Sequence, residues 1–305
     1  MQKITVIIVT YNAMKWAKTC FASLRNSSIP LHTIVVDNAS TDETVDFIKN
    51  NFPEVELVES RENLGFGKAN NLGIELAYKN GADFFYLMNQ DAWLFPDTVK
   101  QLLEVYENYE PKSEIGILSP IHVDGTEKKL DIFIDKYLAQ NFENRFISDA
   151  VLGNLKLYYE LNFINAAHWF LPKKTIEEIG GFNPYFYHYG EDNEYVNRLH
   201  FHKKKVILAT KSRAVHDGKQ ELDKVDYQKY ENLGIEVKIM NPAIPNAPTT
   251  ELRELKKSIF KNTVVGNFGK AKKLSAKKNK IEKEITELTS LRNLVSQKHH
   301  HFLNL

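Results

Sequence analysis

Cysteine is almost absent from this sequence, since Cys20 is the single thiol among 305 residues. One cysteine cannot form an intramolecular disulfide, so a disulfide-stapled fold is excluded and a reducing compartment is favoured. Long apolar runs are also missing: the N-terminal run of residues 4–9 is too short for a signal peptide and far too short to cross a bilayer. We therefore expect a soluble, cytosolic protein.

The sequence also lacks the features of the commonest nucleic-acid and nucleotide binders. Its formal net charge is only +1, so no overall charge bias indicates nucleic acid or a membrane surface as the partner. Neither a Gly-x-Gly-x-x-Gly motif nor a Walker-type loop follows the first predicted strand. Gly65-Phe66-Gly67 precedes a predicted helix, but its spacing fits neither motif, which excludes an ordinary dinucleotide or P-loop site.

What the sequence does contain is a series of short apolar runs that alternate with helical patterns. The β-branched run at 4–10 is typical of a strand buried on both faces, and the 43% hydrophobic share is enough for a sizeable core. The alternation predicts βαβ units and an α/β fold with a mostly parallel sheet flanked by helices. The predicted strands are 4–10, 33–36, 55–58 and 84–91, and the predicted helices are 13–24, 40–50 (opened by a Ser40–Glu43 capping box) and 68–78.

Three of these strands end in polar residues, at Thr10-Tyr11-Asn12, Asp37-Asn38 and Asn89-Gln90-Asp91. Because the carboxyl ends of parallel strands share one edge of a sheet, we expect these side chains to converge on one crevice, where open α/β sheets bind ligands. An aromatic ring, amides and a carboxylate there could stack a base, read its edge and hold a cation that bridges phosphates. The alternative is an ordinary strand-to-turn transition, because Asn and Asp are common turn residues.

The pattern changes after residue 115. We predict strands at 115–121, 162–171, 206–208 and 214–216, a short helix at 172–179 and irregular structure over 127–160. Gly180-Gly181-Phe182 begins a strong turn signal. Glu191-Asp192 then opens a helix that runs to about residue 202, since acidic residues suit a helix N-terminus.

The C-terminal part differs in composition, and the proline-rich stretch 241–248 is the best boundary. We predict a first domain over residues 1–220, a Pro-containing linker over 221–250 and a basic helical tail over 251–305 that forms a C-terminal helical extension. Three uses of this lysine-rich tail are open. It could lie on a membrane surface with anionic lipid, form a homodimer, or be only a solvated charged face.

Five motifs in sequence order resemble those of the family-two glycosyltransferases, which have the GT-A (Rossmann-like) fold. Each motif lies at a predicted strand end or helix start, and together they cover roughly residues 3–217. The Asp37-Asn38 form of the second motif is similar to the rhamnosyltransferase-like branch. The motifs are 6–12, 35–42, 62–70, 89–91 and Gly180-Gly181-Phe182 followed by Glu191-Asp192.

This resemblance implies an inverting transfer of a sugar from a dTDP- or UDP-linked donor to an acceptor hydroxyl, in polysaccharide or cell-surface glycan synthesis. The leading donor is dTDP-rhamnose, while galactose or an N-acetylhexosamine stays open. By position in the motifs, Thr10, Tyr11 and Asp37 would hold the nucleobase and ribose. The expected donor-binding residues are Thr10, Tyr11, Asn12, Asp37, Asn38, Asn63, Gly65, Phe66, Lys68, Asn70, Asn89, Gln90 and Asp91.

The resemblance also implies a divalent cation, Mn²⁺ or Mg²⁺, as the cofactor. Asp91 matches the last acid of the family's Asp-x-Asp metal motif, and His216 matches a histidine that ligates metal in some relatives. Asn89 stands where many relatives have the first aspartate, and its amide oxygen can bind a hard cation but brings no charge. Whether the activity requires a metal is therefore open. The alternative for His216 is that it is an ordinary histidine at a strand end and binds no metal.

Catalytic and acceptor residues are implied in the same way. Asp192 matches the family's general base, with Glu191 as the fallback; such a base contributes about 10²–10⁴ in rate. The alternative is that these acids only favour the helix N-terminus, which is worth about 0.3–1 kcal/mol. Trp169, Tyr187 and His188 are expected to contact a glycan or lipid-linked acceptor, although an aromatic cluster is more often core.

Two other functions compete with this one. A sugar-nucleotide nucleotidylyltransferase would need a glycine-rich basic loop after the first strand, and residues 10–12 are not one. A non-catalytic sugar-nucleotide-binding relative is consistent with Asn89 but not with an intact Glu191-Asp192 pair. We expect no nucleic-acid partner and a location in the cytoplasm, with the inner face of the cell membrane as the place where a lipid-linked acceptor would be met.

Overall fold

The structure is a computed structural model, and it describes residues 2–218 and 233–305. Its strands are β1 (Ile4–Thr10), β2 (His32–Asp37), β3 (Glu56–Glu59), β4 (Phe84–Asn89), β5 (Ala92–Leu94), β6 (Ile115–Val123), β7 (Tyr158–Leu161), β8 (His168–Pro172) and β9 (Lys205–His216). They form one nine-stranded sheet in the order β3-β2-β1-β4-β8-β6-β9-β5, with β7 paired to β9.

Helices cover both faces of this sheet and form a separate hydrophobic core on each. They are α1 (Met14–Arg25), α2 (Thr44–Asn51), α3 (Phe66–Lys79), α4 (Thr98–Asn108), α5 (Ile132–Gln140), α6 (Phe146–Val151), α7 (Lys173–Ile179), α8 (Glu191–Phe201), α9 (Gly234–Met240), α10 (Ala247–Val264) and α11 (Phe268–Leu294). One core contains Ile74 of α3 and Tyr195 of α8, and the other contains Phe21 of α1 and Leu102 of α4. The sheet is therefore buried on both sides, as its β-branched runs predict.

The first four strands of the order, β3, β2, β1 and β4, are all parallel. The register pairs Thr10 with Asp37 and Val9 with Asn89, so the carboxyl ends of β1, β2 and β4 lie side by side. This confirms the expected alignment of the polar strand ends. The other half of the sheet is mixed, because β8 is antiparallel to β4 and β6, while β9 is parallel to β6.

Several local predictions were wrong. The segment 127–160 is not irregular, since it contains α5 and α6, and α5 begins where the Asp131 carboxylate accepts hydrogen bonds from the first helical backbone N–H groups. The strand predicted over 162–171 is only β8, and the two strands predicted after residue 205 are one continuous β9. The capping box is absent because Ser40 Oγ donates instead to Asp37, at 2.6 Å, and α2 begins at Thr44.

The C-terminal helices pack on the α8 side of the molecule. Phe186, Met240, Ile281 and Leu288 form a third hydrophobic cluster there. The guanidinium of Arg292 donates to the backbone carbonyls of Ile239, Asn241, Pro242 and Ile244, which holds the proline-rich stretch against α11. The division into a first domain, a linker at 221–250 and a tail at 251–305 stays a prediction, and residues 221–232 of that linker lie outside the described residues.

The last residues of the chain pack behind the Gly180-Gly181 turn. The Gly181 N–H donates to the His301 carbonyl at 2.9 Å, Leu303 enters the first core, and the Asn304 amides donate to Glu75. The C-terminus is therefore tied to the body of the protein. Within residues 2–218 and 233–305, no helix combines the length and the apolar character that crossing a bilayer requires.

Candidate functional site

A crevice of about 430 Å³ opens at the carboxyl ends of β1, β2 and β4, where the sequence analysis placed it. Its walls come from three strand ends, from the loop before α3 and from the loop before α8. The lining residues are Val9, Tyr11, Asn38, Asn63, Gly65, Phe66, Asn89, Gln90, Asp91, Tyr187 and His188. The structure thus brings together most of the residues predicted to bind the donor, and two of those predicted to contact the acceptor.

Asp37 and Thr10 lie behind the crevice wall rather than on it. The Asp37 carboxylate accepts hydrogen bonds from Thr10 Oγ1 at 2.8 Å, from Ser40 Oγ at 2.6 Å and from the Ser40 backbone N–H at 2.8 Å. Both residues are buried. In this conformation they join β1 to β2 and hold the loop after β2, and their expected contact with a nucleobase stays a prediction.

Tyr11 is positioned by Gln90 from the neighbouring strand. The Gln90 side-chain oxygen accepts from the Tyr11 backbone N–H at 2.7 Å, and its amide nitrogen donates to the Tyr11 carbonyl at 3.2 Å. Tyr11 is 46% exposed and lines the crevice. Asn12 is a loop residue with φ 51°, and its oxygen accepts from the Thr41 N–H at 2.8 Å.

The loop before α3 forms the opposite wall and is held by Asn38. The Asn38 amide donates to Asn63 Oδ1 at 2.9 Å, and the Leu64 N–H donates back to Asn38 Oδ1 at 2.7 Å. Gly65 has φ 79°, and a Cβ there would lie 2.4 Å from the Tyr187 carbonyl. Only glycine satisfies both constraints, so Gly65 lets the loop before α3 and the Tyr187 loop approach each other.

Two further expected donor residues, both on α3, are not on the wall either. Lys68 is exposed on α3, and Asn70 is buried, with its amide donating to the Phe66 carbonyl at 3.0 Å. Asn70 therefore stabilises the first turn of α3, while Phe66 itself lines the crevice. A direct contact of Lys68 or Asn70 with a donor stays a prediction.

Asp91 faces His216 at one end of the crevice. Strand β5 turns back and pairs with β9, with Ala92 opposite His216, so His216 Nε2 lies 3.8 Å from Asp91 Oδ1. Burial disfavours the imidazolium, but the hydrogen bond to Asp131 and the charges of Asp91 and Asp131 raise the pKa of His216 above its ordinary value. Asp91 and His216, which were both predicted as metal ligands, therefore lie close together in the structure.

Asn89 presents a side-chain oxygen that has no hydrogen-bond partner among the residues that the structure describes, although it is buried. A buried acceptor without a donor is costly, and a bound cation is one group that would satisfy it. A carboxylate, an amide oxygen and an imidazole nitrogen suit Mn²⁺ or Mg²⁺, so Asp91, Asn89 and His216 fit the implied ion by their chemistry. No group of three or more His, Cys, Asp or Glu side chains arranged to hold a metal occurs in the described residues. An ion here would therefore need the Asn89 oxygen, or atoms of a bound nucleotide, in addition to Asp91 and His216.

Asp131 is a site residue that the sequence analysis missed. Its Oδ2 lies 2.9 Å from His216 Nδ1, and its Oδ1 accepts from the Phe133 N–H at 2.7 Å. The carboxylate is fully buried, so it fixes the His216 ring and directs Nε2 towards Asp91. No motif signals this role, because Asp131 lies 85 residues from its histidine in a segment without recognisable pattern.

Glu191 and Asp192 begin α8, a few residues after the crevice-lining Tyr187 and His188. Burial, and then the neighbouring charge of Asp192, raise the pKa of Glu191 to about 8, and its Oε2 has no partner in the described residues. Burial also raises the pKa of Asp192, whose Oδ1 accepts two hydrogen bonds from Asn193. Burial and the proximity of the two carboxyls therefore disfavour the state in which both are ionised.

The three residues expected to contact the acceptor are in different environments. Tyr187, 59% exposed, and His188 both line the crevice. Trp169 does not reach it, which corrects the prediction: its ring is fully buried, stacks on Phe182 at 5.6 Å, and donates through Nε1 to the Ile164 carbonyl. Trp169 points from β8 into the core, so it has no face left for a sugar.

Comparisons with known proteins identify the family of the chain. The family model described as Glycosyl transferase family 2 matches residues 5–180. The teichoic acid poly(glycerol phosphate) polymerase of Staphylococcus epidermidis (strain ATCC 35984 / RP62A) is 24% identical over 147 residues, which are 47% of this chain and 19% of that protein. The chain spans less than a third of the length of the curated relatives it matches.

Several solved structures are similar in fold, among them two with a bound nucleotide or nucleotide sugar. S. aureus TarS 1-349, in complex with UDP, has a TM-score of 0.54 at 16% identity and aligns over 81% of this chain and 68% of its own. The mannosyltransferase PcManGT from Pyrobaculum calidifontis, in complex with GDP-Man and Mn²⁺, has a TM-score of 0.54 at 16% identity and aligns over 96% of this chain and 84% of its own. At such identities the likeness shows the fold alone, and it confirms the predicted α/β class.

Proposed function

The chain belongs to glycosyl transferase family 2 and has a GT-A-like fold, and from this premise we propose that it is an inverting hexosyltransferase that uses a nucleoside-diphosphate sugar. The observation that carries the proposal is the crevice at the ends of β1, β2 and β4. There Tyr11, Asn89 and Asp91 line one cavity of about 430 Å³. Its volume and its mixture of aromatic and polar lining residues suit a nucleotide.

The donor in this proposal carries a pyrimidine base, dTDP or UDP. Tyr11 stacks on the base, while Asn63, Gly65 and Phe66 form the opposite wall. The UDP bound to TarS supports a pyrimidine, whereas the GDP-Man bound to PcManGT keeps a purine as the alternative. Rhamnose is the leading sugar, on the Asp37-Asn38 motif that resembles the rhamnosyltransferase-like branch.

Asp91, His216 and Asn89 are the residues that would hold Mn²⁺ or Mg²⁺. When bound, such an ion neutralises the negative charge that develops on the departing diphosphate. Asp131 keeps the His216 ring in place through Nδ1. Asn89 brings an oxygen but no charge, so we propose a metal affinity below that of a site with two aspartates.

Asp192 is the proposed general base. It takes the proton of the acceptor hydroxyl while that oxygen forms its bond to the anomeric carbon. The bond from this carbon to the diphosphate oxygen breaks, and its electron pair leaves with the diphosphate, so attack from the opposite side inverts the anomeric centre. Burial raises the pKa of the neighbouring Glu191 to about 8, so in this proposal Glu191 is protonated at neutral pH and Asp192 acts as the base.

The acceptor in this proposal is a glycan or a lipid-linked sugar of a surface polysaccharide. Tyr187 and His188 would contact it, because they line the crevice on the α8 side. The polymerase relative, named for teichoic acid, supports a cell-surface product. We propose a location in the cytoplasm at the inner face of the membrane, with the C-terminal tail bound to lipid or to a second copy of the chain.

Turnover of defined donors tests this function. With Mn²⁺ present, the protein should release dTDP or UDP from one of dTDP-rhamnose, UDP-galactose and UDP-N-acetylglucosamine, faster with an acceptor glycan added. NMR of the product should show the inverted anomer. A product that keeps the anomeric configuration of the donor would overturn the inverting mechanism. Release of pyrophosphate from dTTP or UTP with a sugar 1-phosphate would favour a nucleotidylyltransferase.

The role of Asp131 gives a separate prediction. Asp131→Asn should weaken Mn²⁺ binding about 10- to 100-fold, because the histidine ligand loses the carboxylate that orients it. Calorimetric titration of Mn²⁺ in the presence of UDP measures the effect, and UDP affinity in EDTA should be unchanged. Asp124→Asn is the matched control, since Asp124 makes a similar local turn with Thr126 in the same segment. Equal Mn²⁺ affinity in all three proteins would show that Asp131 has only a structural role.

A further inference from the structure

Helices α10 and α11 form a hairpin with an end that does not pack on the rest of the protein. The two helices are joined by residues 265–267 only. The last buried residue of α10 is Leu255 and the first of α11 is Ala271, whereas Ile281 and Leu288 further along α11 are buried in the body. Residues 256–273, which we name the hairpin tip, are therefore exposed apart from the buried Ala271 and the half-buried Ile259 and Asn262.

The hairpin tip exposes four large apolar side chains. Phe260 is 72% exposed, Val264 and Val265 are each 68% exposed, and Phe268 is 67% exposed. They follow one another around the connection between the helices, so they form the end of the hairpin and not a scattered set. Single exposed apolar residues are ordinary, but a contiguous group on a projecting end indicates a binding surface.

The same tip is strongly basic. Residues 256–273 contain six lysines and no aspartate or glutamate, although the whole chain has a net charge of only +1. Lys257 pairs with Glu254 at 2.8 Å and Lys256 lies 3.9 Å from Glu282. Lys261, Lys270, Lys272 and Lys273 have no carboxylate within 4.0 Å among the described residues. Four unneutralised lysines thus surround an apolar end.

We propose that the hairpin tip inserts into the surface of a membrane that contains anionic lipid. Phe260, Val264, Val265 and Phe268 would enter the boundary between headgroups and acyl chains, and the lysines would contact lipid phosphates. A second copy of the chain fits less well, because two tips would bring six lysines against six others. Four side chains also bury far less than the roughly 1,200 Å² that a stable dimer needs.

The hairpin also connects the membrane to the crevice. Tyr185, two residues before the crevice-lining Tyr187, donates through its hydroxyl to Glu284 of α11 at 2.7 Å. Glu284 lies sixteen residues after Phe268 on the same helix, a distance of about 24 Å at 1.5 Å per residue. If the proposed function is right, this would hold the acceptor side of the crevice near a lipid-linked sugar; the membrane contact itself does not depend on the activity.

Vesicle co-sedimentation of the full chain tests the proposal. The protein should bind vesicles of phosphatidylcholine with about one third phosphatidylglycerol, but not pure phosphatidylcholine, and binding should weaken with salt. Phe260→Ser with Phe268→Ser should weaken binding at least about tenfold by loss of inserted apolar area, and Lys270→Gln, Lys272→Gln and Lys273→Gln together should do the same by loss of charge. Melting temperatures should stay unchanged, because none of these side chains is buried.

The matched control is Phe142→Ser with Val151→Ser, which removes two apolar side chains that are 72% and 80% exposed outside the tip. This variant should bind vesicles like the unmodified protein. Absence of binding to anionic vesicles, or an equal loss in the control, would overturn the proposal. Light scattering that shows dimers dissociated by the Phe260 and Phe268 substitutions, without vesicle binding, would assign the tip to a second copy.

Discussion

Asp192→Asn is expected to lower the rate of sugar transfer by about 10²–10⁴ while the affinity for the nucleotide donor stays nearly unchanged. The asparagine keeps the size and the hydrogen bonds that Asp192 accepts from Asn193, but it cannot take the proton of the acceptor hydroxyl. Initial rates of product formation and calorimetric binding of UDP or dTDP, on the same preparations, separate the two effects.

Glu191→Gln is the matched control for this substitution. Because burial already raises the pKa of Glu191 to about 8, a glutamine resembles its protonated state at pH 7, and transfer should remain within a few-fold. A large loss of transfer rate in Glu191→Gln, with a small loss in Asp192→Asn, would show that Glu191 and not Asp192 is the general base. Full activity in both variants would show that neither acid at the start of α8 is the general base.

Asp91→Ala is expected to abolish the metal-dependent part of donor binding. Asp91 is the only carboxylate assigned to the ion, since Asn89 is uncharged and His216 brings a neutral nitrogen when it ligates. Titration of UDP or dTDP with Mn²⁺, and again with EDTA, should give two different affinities for the unmodified protein and the same weak affinity for Asp91→Ala. Asp97→Ala, at an exposed position just before α4, is the control and should bind like the unmodified protein.

The parallel half of the fold and the position of the crevice could be predicted from the sequence. The β-branched run of β1 indicates a strand buried on both faces, and Thr10, Asp37 and Asn89 then follow as the residues at one edge. Both inferences rest on local pattern and on the shared direction of neighbouring strands. The same local pattern places Glu191-Asp192 at a helix start, where the structure has α8.

Features that depend on contacts distant in sequence could not be predicted. Trp169 looks like an aromatic available to a sugar, and only its packing on Phe182 shows that it belongs to the core. The bond from Asp131 to His216 requires α5 to lie beside the end of β9, and nothing near residue 131 indicates that. The lysine content of the tail alone does not separate a membrane contact from a solvated face. The exposed Phe260 and Phe268 at the end of the hairpin are what favour the membrane contact that we propose.

Calorimetric binding of dTDP and UDP to the unmodified protein, each with Mn²⁺ and with EDTA, tests the nucleotide site and the ion site together. One of the two nucleotides should bind in the crevice, more tightly with Mn²⁺, and the difference should disappear in Asp91→Ala. Binding that is equal with and without the ion would keep the nucleotide site but contradict the roles of Asp91 and His216. Absence of binding of either nucleotide to folded protein would contradict the assignment of the crevice as a pyrimidine nucleotide-sugar site.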